Sequence, residues 1–247
     1  MQEKAAFSLI NPTGKASIVL TCEHASCDLP EEYQGLGISS VEINRHIGWD
    51  IGARSVVEAL AQVLDAPAVC SGYSRLLIDC NRSLSDHDLI VQQSDGTRVP
   101  GNQDLSVEEQ NKRITQFYHP YHEAIDRLLR EKKTPDLTLL SIHSFTPLLD
   151  KSERQFDLGI LFDRYDGLAF EVGQRLSACG YQVRYNEPYS GYDGLIFSAR
   201  NHGERHGVVY LEIEINNGLI ADSIQADHIG RQIGAVFQEI FPWKAGK

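Results

Sequence analysis

The sequence has few of the residues that would place it in a specialised class of protein. It holds five cysteines among 247 residues, an odd number with no Cys-x-x-Cys pair, so a disulfide framework is not indicated. Lysine and arginine number 23 against 34 aspartates and glutamates, a formal net charge of −11. Because nucleic acids and anionic membranes attract basic surfaces, this balance argues against both as partners. We expect a reduced, cytoplasmic protein.

Long apolar segments are also missing. No run approaches the roughly 20 residues of a membrane-spanning helix, and the first residues lack the apolar centre of a signal peptide. Apolar residues make up 42% and charged residues 23% of the chain, as in soluble globular proteins. No repeat, low-complexity stretch or linker divides the sequence. We therefore expect a single domain over residues 1–247.

Strand-like apolar runs alternate along the chain with segments of helical periodicity. This alternation predicts a three-layer α/β fold, in which a mixed, mostly parallel sheet has helices on both faces. The polar, turn-rich segment 86–101 is interpreted as a surface excursion that could act as a lid. The predicted strands lie at 17–24, 68–70, 76–80, 137–143, 158–162, 181–185 and 208–215, and the helices at 56–64, 114–128, 168–178 and 229–240.

Two histidines stand where predicted strands end. His24 follows Ser17-Ile-Val-Leu-Thr-Cys-Glu23, and His143 follows Leu137-Thr-Leu-Leu-Ser-Ile142. Ligands of such sheets bind outside the carboxyl ends of the strands, and hydrolytic zinc takes three protein ligands, mostly histidine with one carboxylate. We interpret both histidines as zinc ligands. The alternative is that each is a hydrogen-bonded core histidine.

The third ligand should be a carboxylate. Glu23 adjoins His24, but neighbouring residues of a strand point to opposite faces, which counts against it. Asp28 lies in a predicted turn, and Asp50 stands at the start of the next predicted helix. We prefer Asp50 as the third ligand. The alternative is that this acidic side chain only stabilises the helix, by interacting with the dipole at its N-terminus. The cysteines on either side of His24, Cys22 and Cys27, are interpreted as small core residues.

The strand at 208–215 carries two acids, Glu212 and Glu214, on one face. Two carboxylates in an apolar strand are costly unless they are paired, ligated or catalytic. We assign Glu214 as a general base, because it is nearer the carboxyl end of the strand, and Glu212 as its support. The alternative is an edge strand with a solvated outer face.

Three arginines are candidates for binding a substrate carboxylate. Arg82 follows a predicted strand, Arg75 precedes it, and Arg200 follows a glycine-rich loop. Guanidinium groups bind carboxylates through two parallel hydrogen bonds. With Asn81 beside them, they indicate a small, carboxylate-bearing substrate, and Asp79 is expected to orient one of the arginines.

Taken together, these motifs resemble the N-formylglutamate amidohydrolase family over Ile18 to Ile220. The resemblance implies a zinc-exopeptidase-like (phosphorylase/hydrolase-like) fold and cleavage of a formyl amide. Similar segments of zinc-dependent murein amidases imply one zinc ion held by His24, Asp50 and His143, with Glu214 as the base. The motifs are Cys22-Glu-His-Ala-Ser-Cys-Asp-Leu-Pro30, Trp49-Asp-Ile-Gly52, Arg75 with Asp79-Cys-Asn-Arg82, Tyr118-His-Pro-Tyr-His122, Ser141-Ile-His-Ser144, Asn186-Glu-Pro-Tyr-Ser-Gly191 and Glu212-Ile-Glu-Ile-Asn-Asn-Gly-Leu219.

One motif departs from the family pattern. Members that act on N-formylglutamate typically carry Pro-His-Ser-Gly where this chain has Glu23-His-Ala-Ser26. The chain therefore resembles a side branch of the family, with an N-formyl or other N-acyl amino acid as the expected substrate. Another divalent metal would suit the same ligands. The alternatives are an amidase for a peptidoglycan-type amide and a non-catalytic binding protein with the same fold.

Overall fold

The computed structural model describes residues 4–149 and 152–241. In chain order the strands are β1 (Phe7–Ile10), β2 (Ile18–Cys22), β3 (Ala68–Ser71), β4 (Gln93–Ser94), β5 (Thr97–Arg98), β6 (Thr138–Phe145), β7 (Leu148–Leu149), β8 (Ser152–Glu153), β9 (Leu158–Leu161), β10 (Val183–Tyr185) and β11 (Val209–Asn216). The α-helices are α1 (Ser40–Ile43), α2 (Ala53–Leu64), α3 (Val107–Arg113), α4 (His119–Glu131), α5 (Asp166–Ala178), α6 (Phe197–His206) and α7 (Ser223–Ile240).

Seven strands form the main sheet, in the order β1-β3-β2-β6-β11-β9-β10. The four consecutive strands β3, β2, β6 and β11 are parallel, so their carboxyl ends meet at one edge. Strand β9 runs antiparallel to β11 and pairs with β10 in parallel, and β1 is antiparallel to β3. The predicted mixed, mostly parallel sheet is confirmed.

Side chains of each strand alternate between two apolar cores, one on each face of the sheet. On β11, Ile213 and Ile215 pack into the core that also contains α2, α5 and α7. Tyr210 packs into the opposite core, with residues of α4 and α6. Each fully buried isoleucine contributes about 1.5–3 kcal/mol. The predicted three-layer architecture is therefore confirmed, and none of its described helices is long and apolar enough to cross a membrane.

The predicted helix at 114–128 begins with a wider, π-helical turn. Residues Ile114–Tyr118 form a π-helical segment between α3 and α4. Such segments are frequent at functional sites because they re-aim the side chains that follow. Here α4 carries Tyr121 and His122 into the core beneath the sheet edge.

The prediction of a strand at 76–80 is wrong. The chain turns there instead, with the Leu77 N–H donating to the Ser74 carbonyl at 2.9 Å and the Asp79 N–H donating to the Leu89 carbonyl at 2.8 Å. The buried Arg113 guanidinium donates to the Leu77 carbonyl at 3.1 Å, so the turn is held from α3. Its apolar residues are buried by this loop packing and not by a sheet ladder.

Segment 86–101 is an ordered excursion that contains the β4–β5 hairpin. Arg45 donates to Thr97 Oγ1 at 3.3 Å and to Glu42 Oε2 at 2.6 Å, and also pairs with Asp95 at the hairpin turn. These contacts attach the hairpin to α1 and the residues just after it. Whether the segment moves as a lid stays a prediction.

A glycine on β9 permits close packing against the strand that carries the two acids. A Cβ atom at Gly159 would lie 2.0 Å from the Glu187 carbonyl oxygen and 3.3 Å from Glu214 Cβ. The first contact is with backbone, which cannot rotate away. The strand pair and the following loop therefore need a residue without a side chain here.

We expect Gly159→Ala to lower the free energy of unfolding by about 3 kcal/mol, because overpacking of a closed core displaces backbone. Gly167→Ala is the matched control: Gly167 lies in α5, where an added Cβ meets nothing within 4 Å. That change should be neutral or stabilise by up to about 1 kcal/mol. Urea unfolding measures both, and equal effects of the two substitutions would contradict the packing argument.

Candidate metal centre and active site

A cavity of about 330 Å³ opens at the shared carboxyl edge of the parallel strands. It brings together residues that are far apart in sequence and come from three parallel strands and the turn after β3. Among the candidates from the sequence, the cavity is lined by His24, Asp50, Arg75, Asn81, Arg82, His143, Glu212 and Glu214.

Three donor atoms converge in the floor of this cavity. His143 Nδ1 lies 2.8 Å and His24 Nδ1 3.5 Å from the same atom, Asp50 Oδ2. All three side chains are buried. His24 follows β2, Asp50 precedes α2 with its N–H on the His24 carbonyl, and His143 lies within β6, two residues before its end.

Each histidine is fixed at its other ring nitrogen by a carboxylate. His24 Nε2 lies 2.7 Å from Asp79 Oδ1, and His143 Nε2 lies 3.0 Å from Glu23 Oε2. Because an ionised carboxylate only accepts, both Nε2 atoms donate. This arrangement directs both Nδ1 atoms toward Asp50, in the manner of carboxylate–histidine–metal groups.

The donor set fits a divalent metal such as zinc. His24 Nδ1 is buried and has no hydrogen-bond partner among the described residues, which is costly for a polar atom unless a ligand satisfies it. Two imidazoles and one carboxylate are a usual zinc set that leaves a coordination position open. His24, Asp50 and His143 would hold the ion.

Glu23 was considered from the sequence only as a metal ligand, but in the structure it holds His143 in place. Strand β2 ends at Cys22, so the alternation of faces no longer applies to Glu23 and His24. The Glu23 carboxylate accepts hydrogen bonds from Ser141 Oγ at 2.7 Å and Tyr121 OH at 2.9 Å, in addition to His143. It is therefore a positioning residue for His143.

The charges of the centre shift one another's pKa values. Burial alone would raise the pKa of Glu23 and of Asp50. For Glu23, the hydrogen bond and charge of His143 and the bond from Ser141 outweigh it, and for Asp50 both histidines do, so both pKa values lie well below their usual range. Burial would lower the pKa of His143, yet the Glu212 charge and the bonds to Asp50 and Glu23 raise it well above its usual value.

The two acids of β11 stand beside this centre. Glu214 pairs in register with His143, and Glu212 with Ser141. Strand β11 lies between β6 and β9, so the alternative of a solvated edge strand is wrong. Burial raises the pKa of Glu212 to about 8 and that of Glu214 to about 7.

The surroundings of these two glutamates differ. Glu212 Oε2 accepts from Asn81 Nδ2 at 3.4 Å and lies 3.7 Å from His143 Nε2. Glu214 Oε2 is buried without a hydrogen-bond partner among the described residues. Glu214 therefore has a free acceptor atom at the cavity, and Glu212 is already engaged.

The candidate substrate-binding residues separate in space. Arg75 donates to Asp79 Oδ2 at 2.8 Å and lies 3.7 Å from Asp50 Oδ1, so Asp79 orients both an arginine and a histidine. Arg82 lines the cavity beside Asn81. Arg200 is not among the lining residues, and its guanidinium lies 3.9 Å from Asp163.

Other lining residues were not found from the sequence. His46, Asp95 and Tyr189 reach the cavity from loops and a hairpin turn. Arg154 stacks on the Tyr189 ring, 5.2 Å from its centroid. Loop residues follow no periodic pattern, so the sequence gives no signal for His46 or Asp95. Tyr189 alone was indicated, because it lies in the motif at 186–191 that resembles the amidohydrolase family.

These pKa shifts make the stability of the metal-free protein depend on pH. The raised pKa values of Glu212 and Glu214 stabilise the fold at low pH, and this stabilisation is lost as pH rises from about 4.3, the unfolded glutamate value, to about 8. The raised pKa of His143 acts in the same direction, but its contribution is lost only as pH rises above about 6.5, the unfolded histidine value.

The lowered pKa values of Glu23, Asp50 and Asp79 act the other way, but their contribution is complete above about pH 5. Burial lowers the pKa of His122 to about 3, which also acts the other way and reduces the fall up to about pH 6.5.

We therefore expect the unfolding free energy of metal-stripped protein to fall between pH 5 and pH 8 by at least about 1.4 kcal/mol, the value of one pKa unit. Glu212→Gln should reduce this slope, since glutamine does not titrate. Urea unfolding at three pH values in the presence of a chelator measures the effect. A free energy that rises across this range would contradict the assigned shifts.

Comparison with known proteins agrees with the geometry. The sequence profile of the N-formylglutamate amidohydrolase family matches residues 16–221, whereas no curated protein matches the chain. A solved structure of a gene product from Agrobacterium tumefaciens is 31% identical, covers 96% of both chains and has a TM-score of 0.90. An N-formylglutamate amidohydrolase from Ralstonia eutropha is 21% identical over 97% of this chain and 98% of its own, with a TM-score of 0.75. The resemblance expected from the motifs is thus confirmed, and the chain belongs to the N-formylglutamate amidohydrolase family.

Proposed function

We propose that the protein is a metal-dependent amidohydrolase that removes an N-formyl or other short N-acyl group from an amino acid. Family membership supports a hydrolase acting on an amide. The observation that carries the metal dependence is the pair of unsatisfied buried atoms in one cavity, His24 Nδ1 and Glu214 Oε2. The His24 nitrogen belongs to the group of two histidines and one aspartate that would hold the metal. The Glu214 oxygen is available to act as a base.

The metal ligands in this proposal are His24, Asp50 and His143, with zinc as the ion that best fits them. When bound, zinc supplies Lewis-acid polarisation of the acyl oxygen and a nucleophile at neutral pH. Asp79 and Glu23 hold the two imidazoles in the tautomer that leaves Nδ1 free.

The proton transfers are assigned to Glu214. Its Oε2 accepts a proton from the attacking water and delivers it to the departing amine, so that an amide and water give a carboxylate and an amine. Burial raises its pKa to about 7, and a base whose pKa lies near the working pH is the most effective. Glu212, held by Asn81, adds a second acid whose charge is kept low by burial.

The carboxylate of the substrate is assigned to the arginines that line the cavity. Arg82 offers a guanidinium whose only described hydrogen bond is to the Asn81 carbonyl, at 3.0 Å. Arg75 is held by Asp79 next to the donor set. Of the three arginines expected to bind substrate, Arg200 is the least suited to this role, because it does not line the cavity.

The competing candidates share parts of this geometry. A peptidoglycan-type amide would use the same centre, and a binding protein would keep the fold without the metal. The free Oε2 atom of Glu214 favours catalysis, since a binding protein has no need of an unpaired buried carboxylate.

Two substitutions should separate metal binding from turnover. We expect His143→Ala to lose both bound zinc and hydrolysis, because one of three ligands is gone. Glu214→Gln should keep the zinc and lower kcat by about 10²–10⁴, the usual contribution of a general base. Metal analysis and amine release measure the two effects. Full activity of Glu214→Gln would overturn the assignment of the base.

A substrate panel tests the class of molecule. We expect hydrolysis of N-formyl, N-acetyl or N-succinyl amino acids that have a free carboxylate. Their carboxamide analogues should have kcat/KM about 10–150-fold lower, since a charged hydrogen bond is worth about 1.5–3 kcal/mol. Arg82→Gln should remove this preference, and Arg200→Gln is the control that keeps it. Equal turnover of acids and carboxamides by the unsubstituted protein would exclude the carboxylate anchor.

A further inference from the structure

A second group of histidine and aspartate side chains lies apart from the cavity, between α4 and α6. His202 Nδ1 and His206 Nε2 each lie 2.8 Å from the same atom, Asp126 Oδ1. None of these three residues lines the catalytic cavity. The ligating atoms of the group lie within 4.8 Å of one another.

The group has the same composition as the candidate catalytic centre. Both consist of two imidazole nitrogens directed at one oxygen of a single aspartate, Asp50 in one case and Asp126 in the other. His202 and His206 are four residues apart on α6, which places them on the same helical face. Histidines at this spacing are a common way for a helix to present two nitrogens to zinc.

Two of the remaining polar atoms of the group, on Asp126 and His202, are already bound to other partners. Asp126 Oδ2 accepts from Arg205 Nη1 at 2.8 Å, so the oxygen between the two histidines is the one left for an ion. His202 Nε2 pairs with His122 Nδ1 at 2.8 Å, an interaction that orients the imidazole. Partners of this kind accompany the ligands of metal sites.

The group is also accessible from one side. The His202 side chain is fully buried, whereas those of Asp126 and His206 are 12% and 15% exposed. An ion could therefore enter past His206. Zinc bonds of about 2.0–2.1 Å in tetrahedral geometry separate neighbouring ligand atoms by roughly 3.3 Å, so the atoms now 2.8 Å apart need to move by only about half an ångström.

We propose that Asp126, His202 and His206 form a second metal site, which takes zinc or a similar transition-metal ion and joins α4 to α6. Its role is structural, because all three residues are outside the cavity and a shared ion would hold the two helices together. The site neither uses nor depends on the proposed amide hydrolysis. Without an ion, the same residues would form only a hydrogen-bonded cluster.

The test counts zinc ions in the full chain. Protein is stripped with a chelator, incubated with zinc, freed of unbound ion and analysed by mass spectrometry for metal per chain. We expect two zinc ions in the unsubstituted protein, one in His143→Ala, one in His206→Gln, and none in the double variant. His228→Gln, which removes an exposed histidine of α7, is the matched control and should keep two.

A thermal measurement isolates the second site. In the His143→Ala background zinc should still raise Tm, and the rise should vanish when His206→Gln is added. The proposal is overturned if His143→Ala binds no zinc, or if His206→Gln binds as much as its parent. Should His206→Gln fail to fold, Asp126→Asn replaces it in the same comparison, and the zinc content of His143→Ala still decides.

Discussion

Five carboxylates are buried close together at one edge of the sheet, and the rest of the site has to compensate their charge. Desolvating a carboxylate costs several kcal/mol unless a cation or hydrogen-bond donors compensate. Two histidines and Arg75 supply only part of that compensation, which leaves two acids of β11 with raised pKa values. A bound divalent cation would complete the balance. The carboxylates concerned are Glu23, Asp50, Asp79, Glu212 and Glu214.

The fold provides this concentration through strand direction and register. Parallel pairing of β2, β6 and β11 brings three carboxyl ends to one edge, and the register places Glu214 beside His143. The face opposite the acids remains fully apolar, with Ile213 and Ile215 in the core beneath α2 and α7. The loop after β10 can then pack closely over β9 because Gly159 has no side chain. One face of β11 therefore packs entirely into an apolar core, and the other carries the two acids toward the cavity.

The architecture was predictable from the sequence because apolar periodicity depends on local pattern alone. The same pattern singled out His24, His143 and Glu214, polar residues in apolar runs, which the structure brings together. The roles of Glu23 and Arg200 were not accessible in this way. Strand β2 ends two residues earlier than the alternation argument assumed, and the position of Arg200 depends on how α6 packs. The apolar run at 76–80 is buried by Arg113 and its loop and not by strand pairing, a distinction that periodicity cannot make.

The β4–β5 hairpin reaches the cavity through Ser94 and Asp95 but is attached to α1 and not to the sheet. Thr97 Oγ1 donates to Glu42 Oε2 at 2.7 Å, and Arg45 holds the turn. This part of the cavity wall is thus built separately from the strands that carry the histidines and acids. Because β4 and β5 form a sheet of their own, we expect insertions or deletions in this hairpin to leave the register of the main sheet unchanged. A change in this hairpin would therefore alter one wall of the cavity while the histidines and acids on the strands keep their positions.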